Sequence, residues 1–570
     1  MAMNSSTASS TPAPGLDARR RAAALARATS TTFDLVVVGG GINGAGIAHD
    51  AALRGLSVCL VEQRDLAFGT SSRSSKLIHG GLRYLEHYQF PLVFESTNER
   101  TLLRKLAPHL VRPLLFALPV YEGDRHPLWM IQVGMWMYDG LSLFQAEHRH
   151  VALRTPKRLL EREPMLRDEG LTGGMIYYDC LTDDARLTLE NALAAARLGA
   201  TVLTRARVVG VDGHHARPDV PMTVEIEDLE GGGRRVVRTR GVVNATGVWT
   251  DAIRRAAGVD SHVIRPTKGV HVVVPHERLP VRHAAALLTP QDGRVFFTIP
   301  WQGRTVIGTT DTDDASDPSA LTVSRADVAY LLHAANRAFP AARLVDDDVI
   351  AAWVGLRPLV RADEVEGASA SAVPREHQLF RDGRMVSIAG GKLTTYRRMA
   401  AEAVDAAAHA VGLKPGESTS GSARLPGAVG LEGDLDALVA RLRARSSLPD
   451  DVLARLGHVY GVRAAEVLAL VDAEPTLAAR LDPERDVIAA EVVFGVREEL
   501  ALTVEDVLVR RTSLALTSRD QGRAAARRVA ELMARELGWS EARRRDELTR
   551  TDVVLDEMVR FRSEPRAEAG

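Results

Sequence analysis

The stretch FDLVVVGGGINGAGIAHDAALRGLSVCLVE, Phe33 to Glu62, restricts this chain more than any other. The apolar run Leu35 to Val38 predicts a buried parallel strand, the glycines turn the chain, and small residues at helical spacing predict a helix from Asn43 to Arg54 that Gly55 ends. Leu56 to Val61 reads as a second strand. Within this unit GxGxxG falls on Gly39, Gly41 and Gly44. The first glycine permits a tight turn, the second lets backbone approach a pyrophosphate, and the third lets helix pack on strand, while the helix N-terminus offers free N–H groups and a positive dipole. Asn43, at the helix start, is counted with these glycines as a cofactor contact. Glu62 closes the second strand, where a carboxylate can accept hydrogen bonds from adenosine ribose hydroxyls. A glycine turn alone is weak evidence; with both strands, the helix and the acid in place it predicts a bound adenine dinucleotide.

After Glu62 the chain does not return to another alternating βα unit. It enters GTSSRSSKLIHGG, where Thr70, Ser71, Ser72 and Ser75 are placed to hydrogen-bond a pyrophosphate or ribityl chain. Much later come a meander of strands (201–211, 222–228, 236–240) and RGVVNATG, whose small residues Ala245, Thr246 and Gly247 let the chain pass close to a dinucleotide. Antiparallel strands interleaved with a nucleotide domain favour FAD, held extended between domains, over NAD.

At 570 residues the chain predicts two or three domains, and 73 acidic against 72 basic residues argue against nucleic-acid binding. Cys59 and Cys180 show no CxxC spacing, so neither a disulfide framework nor a metal site is expected, and a reducing compartment is the natural reading. No apolar run reaches the ~18 residues that a spanning helix needs. Residues 1–32 are rich in Ser, Thr, Ala and Arg and are read as a disordered tail; a mitochondrial transit peptide is the less favoured reading. In this arginine-dominated chain three of the lysines, Lys76, Lys268 and Lys392, stand in or beside glycine-containing segments, which hints at positions needing a compact charge.

Further on, RVFFTIPWQGRTVIGTTD predicts a hairpin turning at Gln302-Gly303, and MVSIAGGKLTTYRRMAAEAV a strand, a Gly390-Gly391 break and a helix. Leu393 and Thr394 begin that helix, where their N–H groups can face a flavin ring. HPLWMIQVGMWMYDGLSLF holds two Trp and three Met; a bilayer surface suits it, but burial in the core is preferred. From about residue 425 helical periodicity replaces strand patterns. His49 and His87 are read as structural.

With these segments in hand, the chain closely resembles the FAD-dependent, quinone-linked glycerol-3-phosphate dehydrogenases. The resemblance rests on GGGINGAGIAHDAALRGLSV, TSSRSSKLIHGGLRYLEHY, WMIQVGMWMYDGL, YYDCLTDDARL, GVVNATGVW, TKGVHVVVP, VIGTTD, GLRPL, GGKLTTYRRMA and EDVLVRRT, in order from Phe33 to Ser513. The expected fold is α/β (α+β): a Rossmann-like FAD-binding domain (about 33–110, 200–260, 350–410) interleaved with an antiparallel-sheet substrate domain (about 111–199, 261–349), then an all-helical domain over 425–570.

The resemblance implies oxidation of sn-glycerol 3-phosphate at C2 to dihydroxyacetone phosphate, with hydride transfer to FAD and electrons passed to a quinone. It implies a homodimer, peripheral on the cytoplasmic face of the membrane. Arg83 and Arg357 are candidate phosphate partners, Tyr84 a hydroxyl donor, and Lys392, after Gly390-Gly391, a charge at flavin and substrate. His79 and His271 compete as the base, and sequence does not separate them. Two rival readings are an oxidase delivering the same electrons to oxygen and, more remotely, a flavin-binding regulator without turnover.

Overall fold

A computed structural model describes residues 16–82, 89–141, 149–314, 316–361, 377–431 and 434–565. Two sheets form the body. The first runs, edge to edge, Gln378–Asp382, Met385–Ala389, Arg234–Asn244, Thr32–Val38, Val58–Val61 and Thr201–Leu203, with Ala206–Asp212 and Met222–Asp228 extending it as an antiparallel meander. Its central strands are parallel, Val36 lying opposite both Val242 and Cys59. Such strands are covered on both faces, so Leu35 to Val38 form one uninterrupted buried apolar run. Three helices cover one face: Ile42–Leu53 packs against Asp184–Arg197 and Tyr396–Ala410.

The second sheet has ten strands, mostly antiparallel. Ile264–Pro275 pairs along its length with Ala351–Val360 and with Arg304–Gly308, and Arg112–Tyr121 pairs with Leu171–Leu181. The hairpin between Val295–Trp301 and Arg304–Gly308 turns at the expected Gln302-Gly303. From Leu435 onward the chain is helical apart from turns and short bridges.

Several expectations are corrected. Residues 16–30, assigned to a disordered tail, are ordered: Arg21–Ser30 is a helix, Leu16 bridges Glu499, and the buried Arg21 guanidinium donates to the Thr204 carbonyl (2.9 Å) and to Asp228 (2.6 Å). Alanine-rich and polar, this segment lacks an apolar stripe that would announce it; a buried arginine holds it instead. Ala351–Val360, assigned to the FAD domain, is a strand of the second sheet, and so is Leu77–Ile78. The Asp184–Arg197 helix, assigned to the substrate domain, packs on the nucleotide layer.

The Trp/Met helix, Leu128–Leu141, is not buried as expected. Met135 and Tyr138 face the core, but Trp129, Met130, Val133, Trp136 and Met137 are 65%, 41%, 52%, 53% and 40% exposed. Positions 129, 133, 136 and 137 fall on one face at helical spacing. The sequence is apolar around the whole helix, and the body covers only one side.

Candidate active site

A cavity of about 1520 Å³ lies between the two sheets. At one end it is lined by Gly39, Gly41, Asn43, Glu62, Thr246 and Gly247, at the C-terminal edge of the parallel strands. Gly39 has φ +104°, and a Cβ there would stand 2.8 Å from the Ala245 carbonyl oxygen, so only glycine lets the two strand ends meet. Gly44 faces away from the cavity; a Cβ there would collide with the Gly39 carbonyl at 1.8 Å, which is the helix-on-strand packing expected of the third glycine. Glu62 is anchored by the Gly40 N–H (2.6 Å) and the Arg64 N–H (2.7 Å), while burial raises its pKa against those two bonds.

At the other end His79, His271, Arg357 and Lys392, far apart in sequence, line the same cavity together with Gly390, Gly391 and Leu393. His271 stacks on the Trp353 indole (5.1 Å between centroids, 13° between planes) and shares a 2.8 Å hydrogen bond with the Ser75 hydroxyl through Nε2. Burial first, then the positive charges of Arg357 and Lys76, push its pKa down to about 3, so the ring is neutral near pH 7. The Arg357 fork is set by Asp311 (3.1 Å), the Thr309 hydroxyl (3.1 Å) and the Thr310 carbonyl (3.1 Å). Lys392 precedes the turn Leu393–Thr395. Arg83, Tyr84 and His87 lie outside the described residues.

The segment 69–81 was expected to meet the cofactor through its hydroxyls; the structure spends several of them on the protein. Thr70 donates to the Leu356 carbonyl (2.6 Å), Ser71 accepts from the Ile42 N–H (2.9 Å), and Ser75 holds His271. All three still line the cavity, whereas Ser72 is buried away from it. The Thr394 hydroxyl brackets His79, accepting from the His79 N–H and donating to the His79 carbonyl, both at 3.1 Å. Lys76 is structural, its ammonium caged by Asp184 (2.7 Å) and the faces of Trp301 and Trp353. Lys268 pairs with Asp327 (2.7 Å). Of these three lysines only Lys392 reaches the cavity.

Sequence reasoning missed Asp179. This buried carboxylate accepts from the Gly80 N–H (3.0 Å), from the Tyr138 hydroxyl (2.8 Å) and from Arg100. It therefore fixes the turn that carries His79, and the Tyr138 oxygen occupies the space beside Gly80, 2.2 Å from where a Cβ would fall. The available signal was an acid inside the buried strand Leu171–Leu181. A buried carboxylate requires partners, and these came from distant segments.

The cavity exceeds the few hundred to about 1,000 Å³ of a drug-sized ligand site, leaving room for an extended dinucleotide and a small substrate. Its bare glycine turn fits a pyrophosphate, and its cationic far end fits an anion beside a redox ring. A nucleotide layer, a second sheet and this shared cavity define the class of FAD-dependent oxidoreductases. The family described as "FAD dependent oxidoreductase" matches residues 34–397, and "C-terminal domain of alpha-glycerophosphate oxidase" matches residues 418–544. The chain is 40% identical over 537 residues to glycerol-3-phosphate dehydrogenase of Mycobacterium leprae (93% of this chain, 89% of the relative) and 36% identical over 534 residues to that of Synechocystis sp. (90% and 94%). Among solved structures, the glycerol-3-phosphate dehydrogenase of Bacillus halodurans complexed with FAD superposes with a TM-score of 0.78 at 32% identity, covering 97% of this chain and all of that one. The chain belongs to the family of FAD-dependent glycerol-3-phosphate dehydrogenases.

Proposed function

We propose that the protein oxidises sn-glycerol 3-phosphate to dihydroxyacetone phosphate and passes the electrons to a quinone. The observation that carries this reading is the convergence of His79, His271, Arg357 and Lys392 on one cavity shared with the dinucleotide turn. Arg357, its fork preset by Asp311 and Thr309, receives the phosphate dianion, and Lys392 adds a compact charge at the neighbouring turn. His79 takes the C2 hydroxyl proton as the C2 hydride departs, leaving the carbonyl. FAD supplies the two-electron acceptor for that hydride. His271, neutral and held between Ser75 and Trp353, is a poor proton acceptor and serves to orient the substrate.

At the dinucleotide end Glu62 accepts from the adenosine ribose, and Gly39, Gly41, Asn43, Thr246 and Gly247 border the pyrophosphate path. The exposed side of Leu128–Leu141 rests on the membrane, where tryptophan and methionine suit the lipid interface. Met130, Val133 and Met137 of that helix also line the cavity, which supports a route for a lipid-dissolved acceptor. No helix among the described residues is long and apolar enough to cross a membrane.

The testing experiment is anaerobic mixing with sn-glycerol 3-phosphate, following the flavin absorbance, with reoxidation by a soluble quinone or by oxygen in parallel. Bleaching reversed much faster by quinone is the expected result. A second reading, an oxidase, draws on the description of the family matched by residues 418–544, and equal reoxidation by oxygen would favour it. Bound flavin that never bleaches would overturn the substrate assignment.

A further inference from the structure

The segment EDVLVRRT, Glu505 to Thr512, takes no part in the chemistry above. It belongs to the helical domain, yet its two arginines reach into the nucleotide layer. Residues Asp506–Arg511 form a π-helical turn, with the Thr512 N–H bonded to the Val507 carbonyl (3.0 Å). Arg510 donates through Nε to Asp65 (2.5 Å), and Arg511 grips the same carboxylate with both Nη atoms (2.8 and 2.9 Å). All three residues are at most 3% exposed. Asp506 completes the arrangement by accepting from Arg510 and Arg205 (2.7 Å each), and these guanidiniums hold it well below the usual carboxylate range despite burial.

Asp65 is the inner end of the loop that wraps the glycine turn. Three residues earlier Glu62 binds the Gly40 N–H, two residues later the Ala67 N–H binds the Gly40 carbonyl (3.0 Å), and Ser71 bonds the start of the Ile42–Leu53 helix. Phe68 lines the cavity with the guanidiniums of Arg64, Arg73 and Arg510 stacked around it at 4.9, 5.1 and 5.6 Å. Two guanidiniums on one carboxylate fix its position and orientation together, because each fork is planar and directional. A buried carboxylate held this way cannot drift without leaving charge unpaired.

We propose that the Arg510–Arg511 pair is a positioning site for FAD: through Asp65 the helical domain pins the 62–75 loop against the glycine turn and so sets cofactor affinity. This rests on the FAD assignment but not on the substrate or the acceptor.

The test uses the full-length protein, stripped of flavin and titrated with FAD, with dissociation constants from flavin fluorescence and melting temperatures measured without flavin. Arg511→Gln and Asp65→Asn are expected to weaken FAD binding about tenfold or more, the scale on which groups behind a ligating shell act. The double variant should be no worse than the poorer single one. Arg511→Lys, which keeps the charge and loses the fork, should fall between, and it serves if the other variants do not fold. Arg497→Gln is the control: it breaks another ion pair of the helical domain, with Glu536 (2.7 and 2.9 Å), whose hydrogen bonds reach neither the loop nor the Glu505–Thr512 segment. It should lower the melting temperature and leave FAD affinity unchanged. The proposal is overturned if the Arg511 and Asp65 variants bind FAD like the parent, or if Arg497→Gln weakens FAD equally. A parent protein that fails to bind FAD would instead sink the cofactor assignment.

Discussion

The two ends of the cavity are built by different means. At the dinucleotide end the chain presents mostly backbone: a glycine turn between two parallel strands, with one carboxylate, Glu62, held by two backbone N–H groups. At the other end four residues from four separated segments converge. The His79 backbone is held by Thr394, the His271 ring by Ser75 and Trp353, and the Arg357 fork by Asp311 and Thr309, while Asp179 holds the turn after His79. A backbone site is specified chiefly by local geometry, and its distant support enters at one point, the Asp65 carboxylate held by Arg510 and Arg511. A converging site depends on the segments that meet there.

Two glycine substitutions test this division most sharply. Gly39→Ala introduces a Cβ 2.8 Å from a backbone oxygen at φ +104°, which neither strand can yield to, and the purified protein should carry no flavin. Gly80→Ala drives a Cβ toward the Tyr138 hydroxyl and displaces the His79 turn. Here the flavin-to-protein ratio should stay near the parent's while kcat falls about 100-fold or more, the cost of misplacing a reacting group by roughly an ångström. Loss of flavin from both variants would show that the two ends are not separable.

Arg357→Lys is expected to act at the converging end alone. It keeps the charge but cannot match the paired contacts to Asp311 and Thr309 or present a planar fork to a phosphate. The expected loss in kcat/KM is about 10- to 100-fold, with flavin content unchanged; steady-state kinetics with sn-glycerol 3-phosphate would check it. An equal loss with a non-phosphorylated polyol would remove Arg357 from phosphate recognition.

How much of this was legible in the sequence follows the same division. The glycine turn, its flanking strands and Glu62 lie within thirty residues, so spacing alone placed them. His79, His271, Arg357 and Lys392 were nominated by residue type and resemblance, but spacing could not tell that Ser75 holds His271 or that Thr394 brackets His79. Those pairs are 196 and 315 residues apart. The loop hydroxyls read as cofactor ligands because a polar loop looks the same whether its partners are ligand or distant backbone. The helix Arg21–Ser30 and the open face of Leu128–Leu141 were misread for a related reason: burial depends on what the rest of the chain leaves uncovered, which composition does not encode.

His271 also carries a pH signature of its own. His271 has its pKa lowered to about 3, against about 6.5 for a free imidazole, so between these values the unfolded chain takes up a proton that the folded state refuses. Its contribution to stability is complete above pH 6.5 and is lost as the pH falls toward 3, at about 1.4 kcal/mol per pH unit. His271→Asn removes that dependence. Denaturant midpoints of variant and parent, measured between pH 6.5 and 5, should converge as the pH falls; a constant gap would mean that the folded protein accommodates a charged His271. The buried His109, also pushed down to about 3 by burial and by Arg186 and Arg463, offers an internal comparison remote from the cavity.

The smallest expected effect on chemistry comes from the open face. Trp129→Ser with Trp136→Ser removes the two most exposed large apolar side chains of Leu128–Leu141 and leaves Met135 and Tyr138 in the core. Flavin reduction by sn-glycerol 3-phosphate should change less than about twofold, since exposed substitutions away from buried networks usually shift stability by under about 0.5 kcal/mol. Co-sedimentation with lipid vesicles should fall by tenfold or more, each indole contributing through its apolar body and its polar N–H at the interface. The two readouts move apart only if this face meets lipid. If vesicle binding is unchanged while reduction slows, the helix acts through Tyr138 and Asp179 on the His79 turn, and the lipid contact lies elsewhere on the molecule.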